Sequence, residues 1–314
     1  MRWLDRSLVL CAVLAVLVHI LPLGARLHWM LELTTHFRLQ YLAVTALVLA
    51  LLALRRLWTA CGAVVIASAI SAAALLPYLP LTPVEQPATA STPLKLLSVN
   101  VSYRPFSPRR LLELVRENGP DVVVVQELTP HAESVLTELD SVLPYHHKFA
   151  TDGPTGIGLW SRLPLESSKT FALGRAPAIE ARVQTPAGTV TVIGVHLRAP
   201  TTSTRAAVRN QELRTLAAHS TAIAGPLVVA GDFNVTPYSP YFTDWLRASG
   251  LTDSRRGRTL SVSWPATLPW FGIPIDHVAV NDGFTILSHR RLPDFASDHY
   301  GVLVELGLRS VEQP

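Results

Sequence analysis

Three runs near the N-terminus, 7–24, 39–54 and 57–81, contain no Asp, Glu, Lys or Arg. Each is close to the roughly 17 to 25 apolar residues that a helix needs to cross a bilayer. A single run of this kind behind Arg2 and Arg6 reads as a secretory leader, but the first run lacks a small-x-small cleavage site and two more follow at once. The runs therefore predict three transmembrane helices, at about 7–24, 39–54 and 57–79, in a membrane domain spanning 1–80. They also account for a hydrophobic content of 49% and a mean hydropathy of +0.29, high for a wholly soluble chain.

Lys and Arg placement sets the expected orientation. Arg2 and Arg6 flank the first span, and Arg55 and Arg56 fill the turn between the second and third. Loop 24–38 sets Arg26 and Arg38 against Glu32, whereas 80–93 has Glu85 and no Lys or Arg. The best fit is a multi-pass protein of the cell membrane, in contact with the lipid bilayer, with everything beyond residue 80 outside the cytoplasm. Both cysteines, Cys11 and Cys61, fall within predicted spans, so the later part needs no disulfide. A sequence pI near 9.3 suggests a nucleic-acid binder. However, six of the 27 basic and three of the 23 acidic residues precede residue 94, and what remains is nearly neutral.

A Pro, Thr and Ala-rich stretch, 81–93, reads as an extended linker, leaving 94–314 as one large domain. The run 94–101 has the character of a buried strand, 107–118 is a helix with Ser107 as N-cap and Pro108 in its first position, and 121–127 is again a strand. Strands follow at 157–161, 178–185 and 189–197, the last two joined as a hairpin through TPAG. A helix at 204–223 leads into a strand at 226–230, and short strands at 275–280, 284–290 and 301–306 close the chain. This mixture of βαβ units and hairpins predicts an α/β layered sandwich rather than a purely parallel doubly wound sheet.

Most of these strands end in an acid, Asn or His: Asn100, Glu127, His196, Asp232 with Asn234, Asp276 with His277, and Asp298 with His299. Turns favour Asn and Asp, so any one of them alone is better explained as a turn residue than as a ligand. Together they carry more weight, because a sheet gathers its strand ends along one edge, where ligands bind. In order, the stretches SVN, QE, SRLP, GVHL, GDFN, IDHV and SDHYG resemble the endonuclease/exonuclease/phosphatase superfamily over essentially all of 94–307. The resemblance implies a four-layer α/β/β/α sandwich of the deoxyribonuclease I type behind the three transmembrane helices, a layout similar to that of bacterial membrane-anchored members.

Phosphodiester hydrolysis needs a charge clamp, a base for water and help for the leaving oxygen. The resemblance implies that Glu127 is the main ligand of a divalent cation, Mg²⁺ or Mn²⁺, with Asn100 beside it and Asp298 contributing. Hard oxygen donors suit these ions, and the sequence has no Cys cluster or HExxH pattern to indicate zinc. By the same resemblance His299 is a general base or phosphate-polarising residue, and Asp276 is the carboxylate that holds its other ring nitrogen. Asp232 orients the attacking water or protonates the leaving oxygen, Asn234 holds a phosphate oxygen, and His196 is a second catalytic histidine.

Other features have competing structural readings. Arg162 reaches a phosphate or forms a salt bridge with equal weight, whereas Arg205, Arg209 and Arg214 read as a solvated helix face. His277, next to Asp276 on a strand, points the opposite way. The basic loop 254–258 could meet a phosphate or an anionic lipid, and the aromatic loop 263–274 is either buried packing or an apolar lip. The expected function is a membrane-anchored, metal-dependent phosphodiesterase acting on nucleic acid or a phospholipid headgroup. The alternatives are a phosphomonoesterase acting on a soluble or inositol phosphate, and a non-catalytic scaffold that keeps the fold.

Overall fold

The computed structural model describes residues 3–81, 93–103 and 106–309. Helices α1 (Trp3–Ile20), α2 (Trp29–Leu33), α3 (Arg38–Leu54) and α4 (Trp58–Leu75) come first. With their adjoining 3-10 turns they give three stretches long and apolar enough to cross a membrane: Trp3–Gly24, Trp29–Leu54 and Trp58–Tyr78. Their outer surfaces expose Leu10, Leu14, Val44, Leu47, Val65 and Ile66, which suits helices surrounded by lipid. Inside the bundle, His19 of α1 hydrogen-bonds Ser71 of α4 at 2.8 Å and Thr45 of α3 at 2.9 Å, so one buried imidazole joins all three long helices. The expected loop 24–38 is in fact largely helical: α2 and a 3-10 turn at Thr34–Phe37 run directly into α3. The expected linker 81–93 lies mostly outside the described residues.

The chain then builds β1 (Leu94–Asn100), α5 (Pro108–Asn118), β2 (Val122–Gln126), α6 (Pro130–Val135), α7 (Leu139–Val142), β3 (Tyr145–Phe149) and β4 (Ile157–Ser161). A second series comprises β5 (Leu165–Leu173), β6 (Ala176–Thr185), β7 (Gly188–His196), α8 (Ser203–Thr221), β8 (Leu227–Asp232), α9 (Pro240–Ser249) and β9 (Thr252–Asp253). The strands β10 (Asp276–Val280), β11 (Phe284–Arg291) and β12 (Val302–Leu308) complete it. Ser107, Thr202 and Ser239 cap α5, α8 and α9 by accepting a backbone N–H, and Gly119 and Gly250 end α5 and α9 in the left-handed region.

Two six-stranded mixed sheets result, ordered β11-β12-β1-β2-β4-β3 and β5-β6-β7-β8-β10-β9. Alternate residues of their central strands face each other, among them Val122, Val124, Val192, Val228, Val278 and Val304, and form the middle of the sandwich. The opposite set on the first sheet packs on α5, and that on the second packs on α8 and α9. These are the four α/β/β/α layers expected from the sequence. The strands not anticipated, β3, β5 and β9, all lie at sheet edges. There, one or both faces meet solvent and the apolar pattern fades.

The α2 segment is not free of the sandwich. Buried Glu32 accepts from Arg209 Nη2 at 2.7 Å and from Ser239 Oγ at 2.8 Å, and His36 Nδ1 lies 2.9 Å from Thr236 Oγ1. Arg26 pairs with Asp244 at 2.6 Å, and Gln40 donates to the Gly272 carbonyl at 2.6 Å. The end of the third stretch is held as well, by Tyr78 Oη to the Pro237 carbonyl at 3.2 Å and by Gly257 N–H to the Pro77 carbonyl at 2.8 Å.

Candidate active site

Strand register brings the polar strand ends together. In the second sheet His196 lies opposite Asp232 on parallel β7 and β8, and Asp276 lies opposite Asp232 on antiparallel β10. In the first sheet Asn100 ends β1 opposite Gln126, one residue before Glu127. The Asn100 amide joins the two sheets, because its Nδ2 donates to Glu127 Oε1 and to Asp232 Oδ2, each at 3.1 Å. Its own Oδ1 accepts the Ser102 N–H at 2.9 Å.

The backbone here is unusual. Glu127 (φ 60) and Asn234 (φ 49) both occupy the left-handed region, which for residues other than glycine is seldom populated without local support. That support is present. Glu127 Oε2 accepts the Tyr103 N–H at 2.7 Å, and Asn234 N–H donates to Asp232 Oδ1 at 2.8 Å while the Asn234 carbonyl accepts from Arg209 Nη1 at 3.0 Å. Gly231 has φ 150, and a Cβ there would overlap the Val195 carbonyl oxygen, so the GDFN turn needs glycine at this point.

His299 Nδ1 lies 2.9 Å from Asp276 Oδ2, and its Nε2 lies 3.8 Å from Asp232 Oδ2. Ser297 Oγ accepts the His299 N–H at 3.1 Å and donates to the Asn100 carbonyl at 2.7 Å, fixing the loop that carries the ring. Asp276 is held by Ser263 Oγ, which accepts its N–H, and by Arg255 Nη2 on its carbonyl, both at 3.1 Å. Burial opposes a charge on His299, but the carboxylates of Asp276, Asp232 and Asp298 outweigh it and push the imidazole up to about 9. Burial pushes Asp232 up to about 6, with the Asp276 carboxylate adding to the shift. Burial acts on Asp276 in the same sense, yet its bond to His299 holds it below the ordinary carboxylate value.

His196 Nε2 faces the same centre, 3.6 Å from Asp232 Oδ2 and 3.9 Å from Glu127 Oε1. Asn234 Nδ2 donates to the Leu197 carbonyl at 2.9 Å and lies 3.4 Å from His196 Nε2, so it positions the His196 ring as well as facing the cleft. Asp298 Oδ2 accepts from Trp264 Nε1 at 3.3 Å. These groups border a cleft of about 530 Å³ in which Glu127, His196, Asp232, Asn234, Asp298 and His299 share the lining with Leu33, His36 and Phe37 of the N-terminal segment.

Several expectations about nearby residues change. Arg209 is not part of a solvated face: it is fully buried and paired with Glu32, although Arg205 and Arg214 are exposed. In the basic loop, Arg255 is buried and bonds the Ser261 and Asp276 carbonyls, and Arg258 bonds the Ile286 carbonyl, so both act structurally. Arg162 donates to the Pro120 carbonyl, at the end of β2 opposite Glu127. His277 does point away from the cleft, its Nε2 donating to the Val235 carbonyl at 2.9 Å. The contribution of Glu32 had no sequence signal, since its partners Arg209 and Ser239 lie 177 and 207 residues further along the chain.

The donor set suits a hard divalent cation. Glu127, Asp232 and Asp298 border the cleft, Asp276 lies behind it next to Asp232, and buried Asp276 Oδ1 has no hydrogen-bond partner. The tightest trio of potential donors among the described residues is Asp232, Asp276 and His299, whose ligand atoms lie within 4.8 Å of one another. Asp276 and His299 are already bonded to each other through Asp276 Oδ2, whereas Glu127 and Asp232 converge on the Asn100 amide.

A model of the Endonuclease/Exonuclease/phosphatase family matches residues 97–299. Among solved structures, the chain is similar to an endonuclease/exonuclease/phosphatase from Beutenbergia cavernae (21% identity, TM-score 0.57), covering 69% of this chain and 72% of that one. It is similar to D. rerio TDP2 complexed with a single-strand DNA product (16%, TM-score 0.60), covering 69% of this chain and all of that one. It is also similar to sphingomyelinase C from Streptomyces griseocarneus (18%, TM-score 0.52), covering 68% and 99%. No curated protein matches the chain. At these identities the structural likenesses speak for the fold. The family model, which spans more than half of the chain and both sheets, settles the rest: the chain belongs to the endonuclease/exonuclease/phosphatase family, whose members are metal-dependent hydrolases of phosphoester bonds.

Proposed function

We propose that residues 94–314 form the catalytic domain of a phosphodiesterase held at the outer face of the cell membrane by the domain at 1–80. The observation that carries this reading is the meeting of the Asp276–His299 pair with Asp232 and the Asn100–Glu127 pair at a single cleft. Glu127 and Asn100, with Asp298 contributing, would hold Mg²⁺ or Mn²⁺. When bound, the cation neutralises phosphate charge and polarises a phosphoryl oxygen. His299, charged up to about pH 9, donates from Nε2 to a phosphoryl oxygen while Asp276 fixes its Nδ1. Asp232 takes a proton from the attacking water as the new P–O bond forms. The ester P–O bond breaks, and the departing oxygen takes a proton from His196, leaving a phosphomonoester and an alcohol. Asn234 holds His196 and a phosphate oxygen.

One observation favours a diester over a monoester. Glu127, Asp232 and Asp298 all border the cleft, and their carboxylates disfavour the second negative charge of a monoester. The candidate diesters are phospholipid headgroups and nucleic acid outside the cytoplasm. In the test, the full chain in detergent hydrolyses bis-p-nitrophenyl phosphate with Mg²⁺ or Mn²⁺, faster than p-nitrophenyl phosphate, and loses this activity completely with EDTA. Activity that survives EDTA, or a preference for the monoester, would remove the reading. Orientation is tested separately by a phosphatase reporter fused after residue 314, which is active only if that end lies outside.

A further inference from the structure

Of the three residues that the N-terminal segment contributes to the wall of the cleft, Leu33 and Phe37 are apolar and the third is His36. They share the lining with Trp264, Ile273 and Ile275 and with the charged centre. The segment cannot be a passing contact: Glu32 and Arg209 are both buried and 2.7 Å apart, a pairing that neither residue could forgo without leaving a buried charge alone. Phe37 also directly precedes α3, so this wall stands at the head of a membrane-crossing stretch.

Next to the same wall, the loop before β10 turns large apolar side chains outward. Trp270 is 87% exposed and Phe271 65%, and Gln40 in the first turn of α3 bonds the carbonyl of the following residue, Gly272. Leu27 and Met30 are exposed on the segment itself. Aromatic and apolar side chains grouped at the end of a membrane helix belong at the lipid–water interface. Of the arginines near the cleft, Arg209 and Arg255 are interior, and Arg198 and Arg205 border it as cations for a single phosphate group.

Resting on the phosphodiesterase reading, we infer that Leu33 and Phe37 together with Ile273 and Ile275 form an apolar subsite that receives the hydrocarbon part of a bilayer lipid while its phosphodiester lies at the His299 centre. Trp270 and Phe271 seat the cleft mouth in the interface, so that the lipid enters from the side without leaving the membrane.

The test uses the full chain in dodecyl maltoside micelles with Mn²⁺ and four diesters: dioleoylphosphatidylglycerol, dihexanoylphosphatidylglycerol, bis-p-nitrophenyl phosphate and a single-stranded oligonucleotide. The expected result is a kcat/KM at least about tenfold higher for the dioleoyl than for the dihexanoyl lipid. Phe37→Ala and Leu33→Ala should each shrink that ratio severalfold, with the loss in KM. If the two lipids are cleaved alike, or a single-stranded oligonucleotide is cleaved faster than either, the apolar subsite is refuted while the phosphodiesterase reading stands. If bis-p-nitrophenyl phosphate also survives intact, both fall. The chain-length ratio of the unaltered protein decides the matter even if a variant misfolds.

Discussion

Asp276 and His277 are neighbours on β10, and each belongs to a buried Asp–His pair on a different side of the sheet. On the cleft side Asp276 holds His299 at 2.9 Å, and the His299 ring lies beside Trp264 on the cleft lining. On the helix side His277 Nδ1 lies 3.6 Å from Asp253 Oδ2, with Phe242 and Phe233 against its ring. Residue types and burial are nearly the same and do not separate the two, although the 2.9 Å bond on the cleft side is tighter than the 3.6 Å contact on the other. What separates them is access: one imidazole has a nitrogen facing open space and two further carboxylates, and the other is enclosed by aromatic rings. A buried Asp–His pair is thus evidence for chemistry only where the strand turns it toward a cleft.

Exchanging one residue on each side should give opposite outcomes. His299→Ala should lower kcat for bis-p-nitrophenyl phosphate about 10³-fold, in line with the loss of an acid–base group. His277→Ala should instead leave kcat within a few-fold and lower stability by about 2–3 kcal/mol, measured by denaturant titration. Equal kinetic losses in the two variants would erase the distinction.

Behind the GDFN turn, Glu32→Ala leaves Arg209 buried without its partner, for an expected loss of about 3 kcal/mol of stability in the full chain. No change in melting would mean that the N-terminal segment does not dock on the sandwich. The smallest contrast compares the two carboxylates. Asp276→Asn should reduce kcat about 10²-fold by releasing the His299 ring, whereas Asp253→Asn should act on stability alone. A kinetic defect of similar size from Asp253→Asn would show that both sides of β10 serve the reaction.

The central layers were legible in the sequence because β1, β2, β7 and β8 are apolar runs ending in polar residues and β10 begins with them, and period and punctuation agree there. The same feature brought forward Asn100, Glu127, His196, Asp232 and Asp276 as candidates, since a polar residue at a strand end interrupts the apolar pattern visibly, and the fold gathers them at one cleft. Helix α9 was missed although it carries the signature seen in α5, a Ser–Pro start and a left-handed glycine at its end. The Glu32–Arg209 pair spans 177 positions, and neither residue sits in a local pattern that demands the other. A single acid in a short inter-span segment looks like an exposed loop charge until the fold brings its counterion to it. Arg255 was misleading for a related reason, because consecutive arginines suggest a surface patch whereas this one turns inward to support Asp276.

The attachments at Gln40, Tyr78 and Gly257 hold the sandwich to both the second and third membrane stretches. On the proposed placement, these bonds tie the height of the cleft above the bilayer to the two stretches. Such an enzyme works like a fixed blade over a moving sheet: it meets substrate by sideways diffusion within the membrane, and bond depth below the surface becomes a criterion of selection in its own right.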